Sequence, residues 1–227
     1  MPQGRIEPSQ LFTVQALNAS TEPLMVVVAT PDESWIDPLI IDAADALIWK
    51  SLGGYDFSAY GIALREIVRN SPGADVLMMN DSSFGPFSDL TGYFDEMPWD
   101  LSGFTGSYLI ENHIQSYAFL LKDVTEQRLA LLSEVFPEAH SYDLMSDVVL
   151  LQELPMAKVA ARAMSVGAHW YLPRSTGLID PTLASPLELL ELGHPFLKKS
   201  LFSKHARYAD QPKLREVLLR RGHPDLR

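Results

Sequence analysis

No cysteine occurs anywhere in the 227 residues, which excludes disulfides, thiolate catalysis, cysteine-ligated zinc and iron–sulfur clusters. Long apolar runs are missing as well. The longest, around Leu24–Ala29 and Val148–Leu151, fall far short of the ~18–20 residues that a spanning helix needs. The opening MPQGRIEP has no apolar core of the kind a secretory signal requires, so the expected location is the cytoplasm. Neither G-x-G-x-x-G nor G-x-x-x-x-G-K-[ST] is present, so dinucleotide and P-loop sites lack their phosphate cradles. The G-x-S-x-G elbow of serine hydrolases is also absent.

What is present is a chain with 47% hydrophobic and 21% charged residues, enough to bury the core of one large domain. Its net charge of −11 is uneven. Residues 1–197 carry 9 Lys/Arg against 26 Asp/Glu, whereas 198–227 carry 9 against 3. An acidic body argues against nucleic acid as a partner. The division expected is an α/β domain over 1–197 and a basic helical appendage over 198–227. Such a tail can meet an anionic membrane surface, which would make the protein peripheral to the inner face of a membrane, or its own body, or solvent.

Leu24–Thr30 and Ala46–Trp49 read as buried strands, and Ala74–Met79 as a third. Between the last two, apolar residues at Tyr60, Ala63, Leu64, Ile67 and Val68 lie on one helix face, and Asn70-Ser71-Pro72-Gly73 stops it. Strand, helix and strand at this spacing predict an α/β fold with a mostly parallel sheet and crossover helices. Residues 1–10 read as a leader and Leu11–Leu17 as a short strand. Tyr117–Leu121 reads as a strand. Helices are expected over Leu90–Phe94, Glu126–Val135, Met156–Ser165, Leu187–Leu192 and Lys213–Arg221, while Val148–Leu151 fits either state.

In open α/β sheets ligands sit beyond the carboxyl ends of the strands. Two such ends carry distinctive residues. One is Gly53-Gly54-Tyr55-Asp56, where glycine permits close backbone approach and Asp56 can cap a helix or hold a ligand hydroxyl. The other is Asn80-Asp81-Ser82, whose carboxylate, amide and hydroxyl can bind a divalent ion or a sugar, or simply cap a turn before Pro86.

The runs GYDFSAYGIALREI, ADVLMMNDSSFGPFSDL, WDLSGFTGS, HIQSYAFLL and PFLKKSLF, in this order between Ala46 and Phe202, resemble the rhamnan synthesis protein F family. That family comprises glycosyltransferases of bacterial surface polysaccharide synthesis. The resemblance implies a glycosyltransferase-A type fold and a nucleotide-sugar donor, typically dTDP-rhamnose. The acceptor it implies is a polysaccharide or lipid-linked glycan. Only about two dozen residues separate Thr30 from Gly53, so a reduced N-terminal half is expected beside the family's longer one.

On this reading Gly54, Asp56, Asn80, Asp81 and Ser82 bind the donor, with Asp81 the ligand of a divalent cation, Mg or Mn, if one is used. Sugar transfer needs a base for the acceptor hydroxyl, and Asp100 in the WDLSG loop is the first candidate; a helix cap or turn is its other reading. His113 and Gln115, two apart on a strand and so sharing a face, are expected to orient the sugar or to be paired in the core. His169-Trp170-Tyr171 has the composition of an aromatic sugar platform, or of core. The alternative function is a non-catalytic carbohydrate-binding or assembly subunit of a polysaccharide machine.

Overall fold

The computed structural model describes residues 5–172 and 180–224. Helix α1 (Pro8–Asn18) occupies the stretch read as leader and short strand. Pro8 in its first turn and reciprocal bonds between Glu7 and Gln10 start a helix that periodicity alone does not announce. Strands β1 (Met25–Ala29) and β2 (Ala46–Lys50) then pair in parallel, separated by a short helix α2 (Pro38–Ala43). Helix α3 (Tyr55–Asn70) buries Phe57, Tyr60, Ala63 and Leu64 and leads into β3 (Ala74–Met79).

From here the sheet is mixed rather than mostly parallel. After β4 (Ser83–Phe84) and α4 (Tyr93–Glu96) come β5 (Leu101–Ser107), β6 (His113–Ile114) and β7 (Ala118–Val124). Strand β7 lies between β3 and β5 and runs antiparallel to both. Parallel neighbours need a crossover element. No helix lies between β5 and β7, so the chain returns antiparallel instead. Strand β5 reads as a loop in its Ser, Gly and Thr content, yet all seven residues are buried.

Helix α5 (Glu126–Leu131) is shorter than expected. It is followed by α6 (Met145–Val148), a π-helical turn over Val149–Glu153 and α7 (Leu154–Ala160). Strand β8 (Val166–Trp170), which follows the stretch expected to be helical over Met156–Ser165, pairs in parallel with β5. Trp170 is half-buried and packs against Tyr93, Phe104 and His194, whereas His169 and Tyr171 on either side of it are exposed.

Helices α8 (Pro181–Ala184) and α9 (Pro186–Glu191), strand β9 (Leu197–Lys198) and helix α10 (Gln211–Arg220) complete the described chain. The tail is not an appendage. Leu201, Leu214 and Leu218 are fully buried with Phe84, Leu190 and Leu197, and β9 pairs antiparallel with β4. The alternation of leucines with Lys and Arg in α10 marks a helix with one face in the core and one in water, which explains both its charge and its burial. Among the described residues no helix is long and apolar enough to cross a membrane.

Candidate functional site

The site is built from irregularities in otherwise regular elements. The register of β5 against β6 and β7 sets Phe104 and Thr105 opposite four residues, Gln115–Ala118. The extra residues bulge out of the ladder, a device common beside active sites. On the facing helix the π turn ends at Glu153, and π turns too are frequent at functional sites. Pro155, which has no N–H to give the carbonyl four residues back, adds to the break in the α-helical ladder. The two irregularities meet: the Ser116 backbone N–H and hydroxyl both donate to Glu153 Oε1, each at 3.0 Å.

Around them the carboxyl ends of β2 and β3 contribute. Asn80 Nδ2 donates to Asp56 Oδ2 at 2.5 Å, joining the two loops singled out in the sequence. The buried Tyr60 hydroxyl donates to the Ser116 carbonyl at 2.9 Å, and Asn80 N–H to the Tyr117 carbonyl at 3.0 Å. Burial raises the Asp56 pKa, Glu153 nearby adds to the rise, and the Asn80 amide opposes it. Asp56 is therefore a desolvated carboxylate at the centre of this cluster.

Lys198 enters from β9, which β4 holds directly after the Asn80–Ser82 loop; Lys199 N–H donates to the Ser82 carbonyl at 3.0 Å. The Lys198 ammonium lies 4.2 Å from the centre of the Tyr117 ring, an electrostatically favourable cation–π distance. Desolvation lowers its pKa, and Glu153, Asp180 and Asp56 pull the other way. No carboxylate oxygen among the described residues comes within 4 Å of it. It faces three acids without being paired to any.

Gln115 ties this cluster to the core. Its amide donates to Asp180 Oδ2 at 3.0 Å and its carbonyl accepts from Thr105 Oγ1 at 2.6 Å. Asp180 Oδ1 in turn caps α8 through the Thr182 N–H and hydroxyl. Beyond Tyr117 lies His194, which burial pushes down to about 4, so it is neutral at pH 7. Its Nδ1 donates to the Phe196 carbonyl at 2.8 Å, which leaves Nε2 to accept from the Tyr117 hydroxyl.

The remaining expected residues fall elsewhere or take other roles. Gly54 adopts φ +83° at the start of α3, where a Cβ would lie 2.6 Å from Ser141 and Ser58 carbons, so glycine is needed there. Its N–H is already taken by Asp143 Oδ1 at 2.8 Å. Ser82 N–H donates to Asn80 Oδ1 at 3.0 Å, shaping the loop. Asp81 is exposed on the rim, its Oδ2 accepting from Gln10 of α1 at 2.7 Å. Among the described residues no three His, Asp or Glu side chains group to hold a metal ion. His113 and Gln115 are both buried, but His113 Nδ1 donates to the Glu111 carbonyl at 2.8 Å while Gln115 turns to Thr105 and Asp180.

Asp100 is displaced most. The antiparallel register puts the start of β5 beside the end of β7, at the edge opposite Asn80. There its carboxylate accepts from the Ser165 N–H and hydroxyl at 2.8 and 2.7 Å and pairs with Arg128 at 2.9 Å. The Ser165 hydroxyl, then its N–H, with Arg128 beside them, hold the Asp100 pKa down to about 2. It is a latch between β5, β8 and α5, not a base. A carboxylate with a depressed pKa stabilises the fold above its unfolded value near 4 and loses that contribution as pH falls through 2. Asp100→Asn is expected to cost about 1–2 kcal/mol at pH 7, after allowance for solvent screening of this partly exposed group. Urea melts should show the gap from wild type closing between pH 4 and 2, with ligand binding unchanged.

Lys198, Glu153 and Asp180 were not among the expected site residues. Lys198 stood in a run read as tail, and Glu153 shortly before the helix expected over Met156–Ser165.

No protein-family model matches the chain. No curated protein matches it either. Among solved structures the chain is similar to HddC from Yersinia pseudotuberculosis, with a TM-score of 0.43 and 13% identity over 75% of this chain and 81% of that one.

Proposed function

We propose that the protein is a nucleotide-sugar-dependent glycosyltransferase of the glycosyltransferase-A type. In this reading it moves a deoxyhexose, rhamnose by the resemblance of its motifs, to a hydroxyl of a polysaccharide or lipid-linked glycan. One observation carries the reading. Four segments far apart in the chain, those of Asp56, Asn80, Gln115–Tyr117 and Lys198, converge in one polar cluster, and they are the segments whose residues resemble the rhamnan synthesis protein F family.

The chemistry suits the substrate. Carboxylates and amides are good partners for sugar hydroxyls, and an ammonium free of ion pairs can neutralise the charge that develops on a departing diphosphate. Asp56 and Asn80 would take the sugar, Lys198 the diphosphate, and Gln115 would hold Asp180 in place.

Calorimetric titration with dTDP-rhamnose, with and without manganese, tests the proposal. Saturable binding that dTDP competes away is the expected result, and absence of binding in both conditions overturns it. The reduced N-terminal half, where a single 3-10 turn (Glu33–Trp35) and the six-residue α2 stand between β1 and β2, favours a second reading, a carbohydrate-binding or assembly subunit. That reading predicts binding of a glycan without release of dTDP.

A further inference from the structure

We infer that Glu153 is the base that takes the proton from the acceptor hydroxyl, an inference that rests on the transferase reading above. Three carboxylates surround Lys198, and their bonding separates them. Asp180 spends both oxygens, one on Gln115 and one on Thr182. Asp56 accepts from Asn80 with Oδ2 and from the Phe57 N–H with Oδ1. Glu153 receives both Ser116 donors on Oε1 alone, which leaves Oε2 without a hydrogen bond or ion pair among the described residues. The clamp fixes one oxygen and presents the other.

Its location supports the same role. Glu153 is half-buried, so Oε2 can meet a substrate without being sealed in the core. Two structural insertions, the β-bulge carrying Ser116 and the π turn carrying Glu153, set this geometry. Neither is required by the sheet or by the helix, and each leaves its regular ladder interrupted.

The step balances as an inverting displacement. The acceptor O–H proton passes to Glu153 Oε2 as the acceptor oxygen bonds to the anomeric carbon. The bond from that carbon to the diphosphate oxygen breaks, and its electron pair leaves on the nucleoside diphosphate beside Lys198. With water as acceptor the same step is hydrolysis, so release of dTDP from dTDP-rhamnose reports it without a known glycan.

Glu153→Gln separates the base from the scaffold, because its amide oxygen still accepts both Ser116 donors. The expected result is a loss of at least about 100-fold in dTDP release, within the range general bases contribute. Affinity for dTDP-rhamnose should stay within about threefold and the melting temperature should match wild type. A variant that releases dTDP within threefold of the wild-type rate overturns the assignment. Wild-type protein that binds dTDP-rhamnose but never releases dTDP also overturns it, while leaving donor binding intact. Wild-type protein that binds no donor removes the transferase reading itself.

Discussion

Deleting residues 204–227 is expected to unfold the protein or lower its melting temperature by more than 10 °C, not merely to remove a charged tail. Leu214 and Leu218 of α10 are 0% and 1% exposed, and they close one side of a cluster containing Phe84, Leu190, Leu197 and Leu201. Each buried leucine lost costs about 2–5 kcal/mol when a cavity remains. Two together rival the 5–15 kcal/mol by which domains are stable. The damage should also reach the site, because Phe84 belongs to β4, which holds β9 and thus Lys198 in place. Thermal melts of the truncated and full chains decide the matter. A truncated protein melting within 2 °C of wild type would show that the packing of α10 contributes little, and would return the basic segment to a free role such as membrane contact.

The outline of the fold was legible wherever an apolar run or a helical face marks an element, although β1, β2 and β3, expected as buried strands, are mostly half-buried. Strands β1, β2 and β3 and helix α3 lie close to their expected places because each has a continuous apolar stretch or a clear helical face. Strand β5 was hidden for the opposite reason. It is wholly buried, yet its neighbours approach so closely that small residues are required; a Cβ on Gly103 would stand 2.8 Å from the Ile114 Cβ. Ser102 and Thr105 satisfy their hydroxyls within the protein, so polarity there does not mean exposure. Antiparallel return of β7 follows from the missing crossover helix, which becomes evident only once β5 is known to be a strand.

The site was legible in part for similar reasons. Asp56 and Asn80 each end an expected strand or begin an expected helix, so general rules for sheet edges reach them. Asp100 obeys no such rule. Its loop becomes a strand and carries it to the far edge, where Ser165 and Arg128 saturate it. Glu153 and Lys198 depend on pairings of distant segments, π turn with bulge and β9 with β4, that no local pattern announces.

Replacing Lys198 with methionine should separate stability from function more sharply than any other change. A desolvated ammonium with no carboxylate of the described residues within 4 Å is costly to the folded state, and burial lowers its pKa despite the pull of Glu153, Asp180 and Asp56. The sign follows from linkage: a lysine whose folded pKa lies below its unfolded value destabilises the fold while it is charged. That cost persists below the folded pKa and disappears as pH rises toward 10.5. Methionine keeps an apolar stem of similar length and removes the charge, and with it the cation–π contact with Tyr117. Lys198→Met is therefore expected to melt at or above the wild-type temperature, since replacing a poorly paired buried charge by a similar apolar side chain is often neutral or stabilising. Affinity for dTDP, the donor's anionic part, should fall by at least about 30-fold, or roughly 2 kcal/mol, the scale of a charge-assisted hydrogen bond lost from a partly buried site. A less stable variant that still binds dTDP as tightly as wild type would make Lys198 a structural cation and remove it from the donor site.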